Sequence, residues 1–201
     1  MARYEFAEKK LHPGALLDIA CGEGYGSAYL ARKARHVVGV DISSEVIANA
    51  KQKYMSHRNL TFEAADALDY LKHTKKTFDT IVCFETIEHI RDYRKFLYLA
   101  NKCLKKSGVF IVSTPNKLFS DIFAGDTFNE FHLKEFYTQE FIEIISQIFG
   151  VKPKAYYQRA INKNHLIWGA IQSLLFQNNQ PISPRTAHHE GIYVILVVKK
   201  K

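Results

Sequence analysis

The stretch Leu16-Leu17-Asp18-Ile19-Ala20-Cys21-Gly22-Glu23-Gly24-Tyr25-Gly26 constrains the fold of this chain more than any other part. A short apolar run passes into three glycines at alternate positions, and helical spacing follows at once through Tyr29, Leu30, Lys33 and Ala34. Glycine lets a backbone turn tightly and approach a ligand with no Cβ in the way. A helix start placed there offers unpaired N–H groups to a polar ligand. Fifteen residues past Gly26, a second apolar run, Val38-Gly39-Val40, ends in Asp41, where a carboxylate can accept both hydroxyls of a ribose.

The same alternation continues along the chain. Residues 15–20, 37–40, 60–64, 80–84 and 109–113 read as short buried strands rich in Val, Ile and Leu. Between them lie helical stripes. Ser44 can cap a helix carrying Ile47, Ala50 and Tyr54. Phe96, Leu97, Ala100, Cys103 and Leu104 form a second stripe, ended by Gly108 before the next strand, and Phe141, Ile144, Ile145 and Ile148 a third, closed by Gly150. Strands apolar on both faces, alternating with helices, predict an α/β fold: a mostly parallel sheet in a three-layer sandwich, with its ligand site beyond the carboxyl ends of the strands. Two further strands are expected at 151–161 and 192–198. The intervening segment holds an aromatic helical pattern (Ile167, Trp168, Ile171, Leu174, Leu175) that packs on the core or covers a substrate.

With 201 residues, 47% of them hydrophobic, the chain suits one domain, 1–201, with residues 1–115 as its ligand-binding core and 116–191 containing the segments that cover an acceptor. Residues 1–10 have no apolar run of the secretory kind, and no apolar stretch is long enough to span a bilayer. Three cysteines, Cys21, Cys83 and Cys103, lack paired metal spacing, and their odd number argues against a disulfide framework, so a reducing cytoplasm is expected. The net charge of +8 invites a nucleic-acid partner, but the basic residues are scattered in small groups without interleaved aromatics. Attraction to an anionic substrate or a peripheral membrane surface stays open, and nothing sets an oligomeric state.

Two ligand classes share such a turn. Ser27 is small enough to complete a G-x-G-x-x-G dinucleotide fingerprint from Gly22 and Gly24. Asp18 and Glu23, however, bring acidity that suits a ligand carrying an ammonium and a sulfonium better than a pyrophosphate. The stretch resembles motif I of the class I S-adenosylmethionine-dependent methyltransferases, acid-x-x-x-Gly-x-Gly, with Asp41 matching the ribose-binding acid. Glu63-Ala64-Ala65-Asp66-Ala67 resembles the family's adenine-contacting segment. Phe78–Phe84 with Glu85-Thr86-Ile87-Glu88-His89 resembles its fourth strand and loop, and residues 104–116 its closing helix-turn-strand, with Ser107 where a glycine is common. The resemblance spans residues 3 to 149 and implies a Rossmann-like, seven-stranded sheet with one antiparallel edge strand, which 192–198 can supply.

What the resemblance implies for single residues follows position by position. Gly22 and Gly24, beside Ala20, lie against the methionine part of S-adenosylmethionine, with Asp18 near its amino group. Gly24 is bare because a Cβ there would occupy the ligand's space. Asp41 holds the ribose and Asp66 the adenine amino group, while Ile42, Ala65 and Ala67 sandwich the ring. Phe84 and Glu85 border the reactive methyl, and Arg3 can pair with the methionine carboxylate. Each has a plainer reading: Asp66 as a turn residue, Ile42 as core, Arg3 as a surface cation.

An alcohol acceptor needs a base, and His89 and His132 stand after the fourth and fifth strands, as chemical participants or as loop anchors. The D/N-P-P-aromatic motif of base N-methylating enzymes is replaced by Phe84-Glu85-Thr86-Ile87. The aromatics Phe119, Phe123, Phe128, Phe131, Phe136 and Tyr137 can wall a small acceptor. By resemblance, then, the expectation is a small-molecule O-methyltransferase of the quinone-precursor or sugar-tailoring kind, releasing S-adenosylhomocysteine. A nucleotide-cofactor oxidoreductase and a non-catalytic S-adenosylmethionine-binding protein stay as alternatives. No metal is expected, since even His188-His189 has no carboxylate at matching helical spacing.

Overall fold

Alternate residues of the central strands go to opposite faces of one sheet, and both faces are apolar. Leu17 and Ile19 of β1 (Ala15–Ile19), Val38 and Val40 of β2 (His36–Asp41), Ile81 and Cys83 of β4 (Phe78–Phe84), and Phe110 and Val112 of β5 (Leu104–Pro115) enter one core. Leu16, Val37, Val82 and Ile111 enter the other. A sheet buried on both sides must be covered on both sides. In this computed structural model, which describes residues 1–123, 131–158, 182–184 and 192–201, the first core is roofed by α4 (Ala67–His73), α5 (Tyr93–Cys103) and α7 (Thr138–Phe149). The second is roofed by α1 (Ala2–Glu8), α2 (Tyr25–Leu30) and α3 (Ser44–Lys53). The expected helix at 167–175, Phe128, and His188-His189 lie outside the described residues.

The strand order is β3-β2-β1-β4-β5-β8-β6-β7, with β3 at Leu60–Ala64, β6 at Lys154–Gln158, β7 at Ile182–Pro184 and β8 at Tyr193–Lys199. Strands β1 to β5 pair in parallel. The expected antiparallel strand is β8, running against β5 from Val109↔Lys199 to Pro115↔Tyr193. Its other side is taken by β6, and the three-residue β7 borders β6 in turn. This is the Rossmann-like three-layer architecture, its seven-stranded parallel-and-antiparallel core extended by that short strand.

Local signals explain most boundaries. The cap of α3 is Ser43 rather than Ser44: its hydroxyl accepts from Val46 N–H at 3.3 Å. Gly150 ends α7 in the left-handed region at φ 66°. Gly108 does not separate α5 from the next strand; the chain passes directly from Cys103 into β5, turning at Ser107 (φ 63°). Residues 2–8, with no apolar run, become a helix because Tyr4, Phe6 and Ala7 fall on one buried face. Among the described residues no helix is long and apolar enough to cross a membrane.

Past β5 and α6 (Lys117–Phe123), the chain returns to the sheet's carboxyl edge at Phe136. That ring is fully buried, stacked on Phe141 at 5.0 Å and edge-on to Tyr93 at 5.1 Å, and its carbonyl accepts from Lys117 N–H at 3.0 Å. It anchors the segment 131–136 on the core. Phe136→Ala should cost about 3–5 kcal/mol in urea unfolding; a loss under about 1 kcal/mol would show that the segment is held some other way.

Candidate active site

The sheet reverses its winding between β1 and β4, and the crevice outside that switch point is where a ligand fits an open parallel sheet. An open cavity of about 230 Å³ lies there, lined by Arg3, Tyr4, Ala20, Gly22, Phe84 and Glu85 among others. The turn after β1 is built by backbone strain and one carboxylate. Ala20, Gly22 and Gly24 all have positive φ, at 58°, 54° and 78°. Gly24 N–H closes the turn on the Cys21 carbonyl at 3.1 Å. Asp41 accepts from Gly22 N–H at 2.9 Å through Oδ2 and from Ser43 N–H at 3.1 Å through Oδ1. Each oxygen keeps a second lone pair for a ligand hydroxyl.

The first two glycines of the turn differ. A Cβ on Gly22 would meet nothing within 4 Å. A Cβ on Gly24 would fall on the Phe62 ring and lie 3.3 Å from Ala50. Gly24 is therefore bare because the core needs the space, a correction to the expectation that ligand room demands it.

Beneath the turn Asp18 is buried, 1% exposed, and accepts from Ser27 Oγ at 2.6 Å and from Tyr4 Oη at 3.3 Å to each oxygen. Burial pushes its carboxyl up to about 7, with the Asp41 charge adding, against the two hydrogen bonds. Tyr4 also stands edge-on to Phe84, at 5.2 Å between ring centres. Helix α1 thus closes one wall of the cavity. Arg3 lies 4.2 Å over the Tyr193 ring and pairs with Glu85 at 3.4 Å. Its Nε is buried with no hydrogen-bond partner among the described residues.

Glu85 follows the last residue of β4 with φ 51°, an uncommon conformation for a residue bearing a Cβ. The bend brings its carboxylate to the Ser113 hydroxyl, which donates at 2.6 Å. Three residues on, Glu88 is buried at 1% exposure and accepts from Thr114 Oγ1 at 3.1 Å. Burial, then the neighbouring Glu85 charge, raises its carboxyl to about 8. The Glu88 carbonyl accepts from Leu133 N–H at 2.8 Å and Lys134 N–H at 3.1 Å, so the loop after β4 and the segment 131–136 are tied together.

That tie brings the two candidate histidines face to edge, 5.0 Å between ring centres. His89 Nδ1 is 2.7 Å from the Phe131 carbonyl, and His132 Nδ1 is 2.7 Å from Glu135 Oε1. A carbonyl can only accept, and an ionised carboxylate likewise, which assigns the proton of each neutral ring to Nδ1 and the lone pair to Nε2. One ligand atom from each of Glu88, His89 and His132 lies within 4.8 Å of the others.

The adenine-side residues sit at the ends of β2 and β3. Ile42 is 74% exposed, so it is not core, and nothing in the described residues covers it. Ala65 and Ala67 are half-buried. Asp66 is exposed and caps α4 through Oδ1, which accepts from Leu68 and Asp69 N–H at 2.9 and 3.0 Å. Asp66 thus serves as the helix cap of α4 through one oxygen, and Oδ2 accepts no hydrogen bond among the described residues. Sequence reasoning gave no role to Tyr4, Tyr193, Glu88 or Glu135, and considered Ser27 only for its small size. Only the two glutamates left a trace, in Glu85-x-x-Glu88-His89 and His132-x-x-Glu135.

Comparison with known proteins matches residues 13–167 to the methyltransferase domain family, and the chain belongs to that family. It is 31% identical over 134 residues to a Mycolicibacterium smegmatis protein named as an S-adenosylmethionine-dependent methyltransferase, covering 65% of this chain and 49% of that one. It is 36% identical over 119 residues to the ubiquinone biosynthesis O-methyltransferase of Pelagibacter ubique, covering 59% and 49%. The chain thus spans about half the length of these curated relatives. A SAM-dependent methyltransferase of Thermotoga maritima shares the fold over 100% of this chain and 88% of its own, with a TM-score of 0.71 at 18% identity.

The unequal surroundings of the glycines predict unequal costs. Gly22→Ala should destabilise by only about 1–2 kcal/mol, the strain of a Cβ at positive φ. Gly24→Ala should lose about 1–3 kcal/mol more, because Phe62 must also move. Equal losses in urea unfolding would contradict this division of labour.

Proposed function

We propose that this chain transfers the methyl group of S-adenosylmethionine to an oxygen of a small-molecule acceptor and releases S-adenosylhomocysteine. One observation carries the reading: two differently built halves meet at Phe84 and Glu85. On one side stand a ribose-ready carboxylate, a bare glycine and an exposed Ile42; on the other, two oriented imidazoles over buried carboxylates.

The residues of the first half fit the cofactor. Asp41 has lone pairs for two ribose hydroxyls, and Gly22 leaves the turn open beside Ala20 for the methionine part. Ile42, with Ala65 and Ala67, offers apolar surface to the adenine, and the second oxygen of Asp66 can accept from its amino group. Asp18 acts from beneath the turn, favouring a cationic amino group when ionised. Arg3 offers its guanidinium to the methionine carboxylate while staying against Glu85. The Asp41 carboxylate at the turn, with Glu85 across the crevice, opposes a pyrophosphate, which speaks against a dinucleotide oxidoreductase.

Bound S-adenosylmethionine supplies the methyl on a sulfonium that leaves as a neutral thioether. The protein has to align the acceptor oxygen, exclude water and see the hydroxyl proton removed. His89 and His132 present lone pairs on the acceptor side, and His132 is the residue on which activation of the hydroxyl turns. The relative named as a ubiquinone biosynthesis O-methyltransferase supports an oxygen acceptor. We read residues 1–201 as one domain, with 116–191 covering the acceptor. Cys21, Cys83 and Cys103 are free and buried, which suits a reducing cytoplasm.

Asp41→Ala should weaken S-adenosylhomocysteine binding by about 1–3 kcal/mol, because it strands two ribose hydroxyls. Calorimetry giving an unchanged Kd would remove the basis of the reading. His132→Ala should lower release of S-adenosylhomocysteine on a panel of phenolic and sugar acceptors by roughly 10²–10⁴-fold. Its affinity for S-adenosylhomocysteine should match that of the parent. Full turnover in His132→Ala would reduce the histidine to a loop anchor.

A further inference from the structure

We propose that Glu88, His89 and His132 bind one divalent first-row cation, and that this cation activates the acceptor hydroxyl; the second half of this statement rests on the methyltransferase reading, the first does not.

Three observations converge on the cluster. The donors are of the right kind: two imidazoles and a carboxyl group form a mixed nitrogen-oxygen set that suits Mn²⁺, Co²⁺, Fe²⁺ or Zn²⁺ better than Mg²⁺, which prefers oxygen alone. They come from two separate loops that the Glu88 carbonyl pins together through Leu133 and Lys134 N–H. Bonds of about 2.1 Å set ligand atoms about 3.0–3.4 Å apart, so donors that lie within 4.8 Å of one another have to close by up to roughly 1.5 Å around an ion. The exposed His89 ring is the donor with the most room to move.

The outer hydrogen bonds are those a metal-binding histidine uses. A ligating imidazole gives its other N–H to a carboxylate or a backbone carbonyl, which fixes the tautomer and aims the lone pair. His132 gives Nδ1–H to Glu135 and His89 gives Nδ1–H to Phe131. Both partner sets are therefore present on the two rings that face each other.

The third observation is charge. Glu88 is 1% exposed, has Glu85 as a neighbour, and forms no ion pair with a lysine or arginine among the described residues. A buried carboxyl group whose oxygens meet no lysine or arginine leaves room beside it for a cation, which would hold it in the ionised form.

In the reaction, an acceptor hydroxyl bound to the cation becomes more acidic, and its proton passes to water. The oxygen lone pair then forms the O–CH₃ bond as the CH₃–S bond breaks, its electron pair staying on sulfur. His132 thus holds the cation and does not itself take the proton.

The test uses the full chain, stripped with chelator and titrated with Co²⁺ by visible absorption, then with Zn²⁺, Mn²⁺ and Mg²⁺ by calorimetry. One equivalent of Co²⁺ should bind and give ligand-field bands. His89→Ala, His132→Ala and Glu88→Gln should each abolish that binding, and Glu135→Gln should weaken it by about 10–100-fold. S-adenosylhomocysteine affinity should stay the same in all four. His89→Ala, on an exposed ring, decides the matter if the buried variants do not fold. Failure of Co²⁺, Zn²⁺ and Mn²⁺ to bind at millimolar concentration would overturn the proposal. So would binding that survives His89→Ala, or binding lost instead in a His188→Ala/His189→Ala control. If S-adenosylhomocysteine itself does not bind the parent chain, the methyltransferase reading fails, and the cation titration still judges the site.

Discussion

Because the central strands carry apolar side chains on both faces, this sheet has no face on which chemistry can be placed. Helices α1 to α3 and α4, α5 and α7 take both surfaces, and nearly every residue there is committed to packing. What is left is the carboxyl edge, where strands end and chain direction changes. The residues that border the crevice follow from that restriction: Asp41 closes β2, Glu85 follows β4, and His132 arrives on a segment tied to the loop after β4. The burial that stabilises the domain also fixes where its polar groups can gather.

The charge there runs against the rest of the protein. A chain of net +8 collects Asp18, Asp41, Glu85 and Glu88 at one crevice. Burial shifts three of the four, Asp18, Glu85 and Glu88, toward the neutral form, so the crevice is less negative than a count of acids suggests. Its balance can change when a cationic group arrives. The surface positive charge is spread out, and it would attract an anionic acceptor from a distance while the crevice selects against anions at the turn.

Legibility in the sequence followed distance along the chain. The β1 turn and Asp41 could be read because strand, turn and acid lie within one unit, and period-two burial turned the apolar runs into strands at nearly the expected places. The antiparallel β8 was legible as a strand, but its flanking by β6 was not, since pairing partners leave no local trace. Positions whose meaning depends on what stands opposite were misread or missed. Gly24 looked like ligand room and serves Phe62; Ser44 looked like a cap that Ser43 provides. Ile42 follows a buried strand in sequence, yet projects to solvent because it lies one residue past the sheet's edge. Glu135 acquires a partner only when the 131–136 segment folds back, and Tyr4 only when α1 docks under the turn.

The insertion of β8 between β5 and β6 has a consequence for how the molecule is made. Val109 pairs with Lys199, and Lys154 with Val197, so the sheet is joined by residues made long after their neighbours. Until Tyr193–Lys199 leaves the ribosome, β5 and β6 each present an open row of backbone donors and acceptors. Lys200 then fastens the closed sheet, its ammonium donating to the Asn101 and Leu104 carbonyls at 2.6 and 2.7 Å. Closing this sheet therefore waits on long-range pairing, and a chain lacking Tyr193–Lys199 carries two open strand edges at that place.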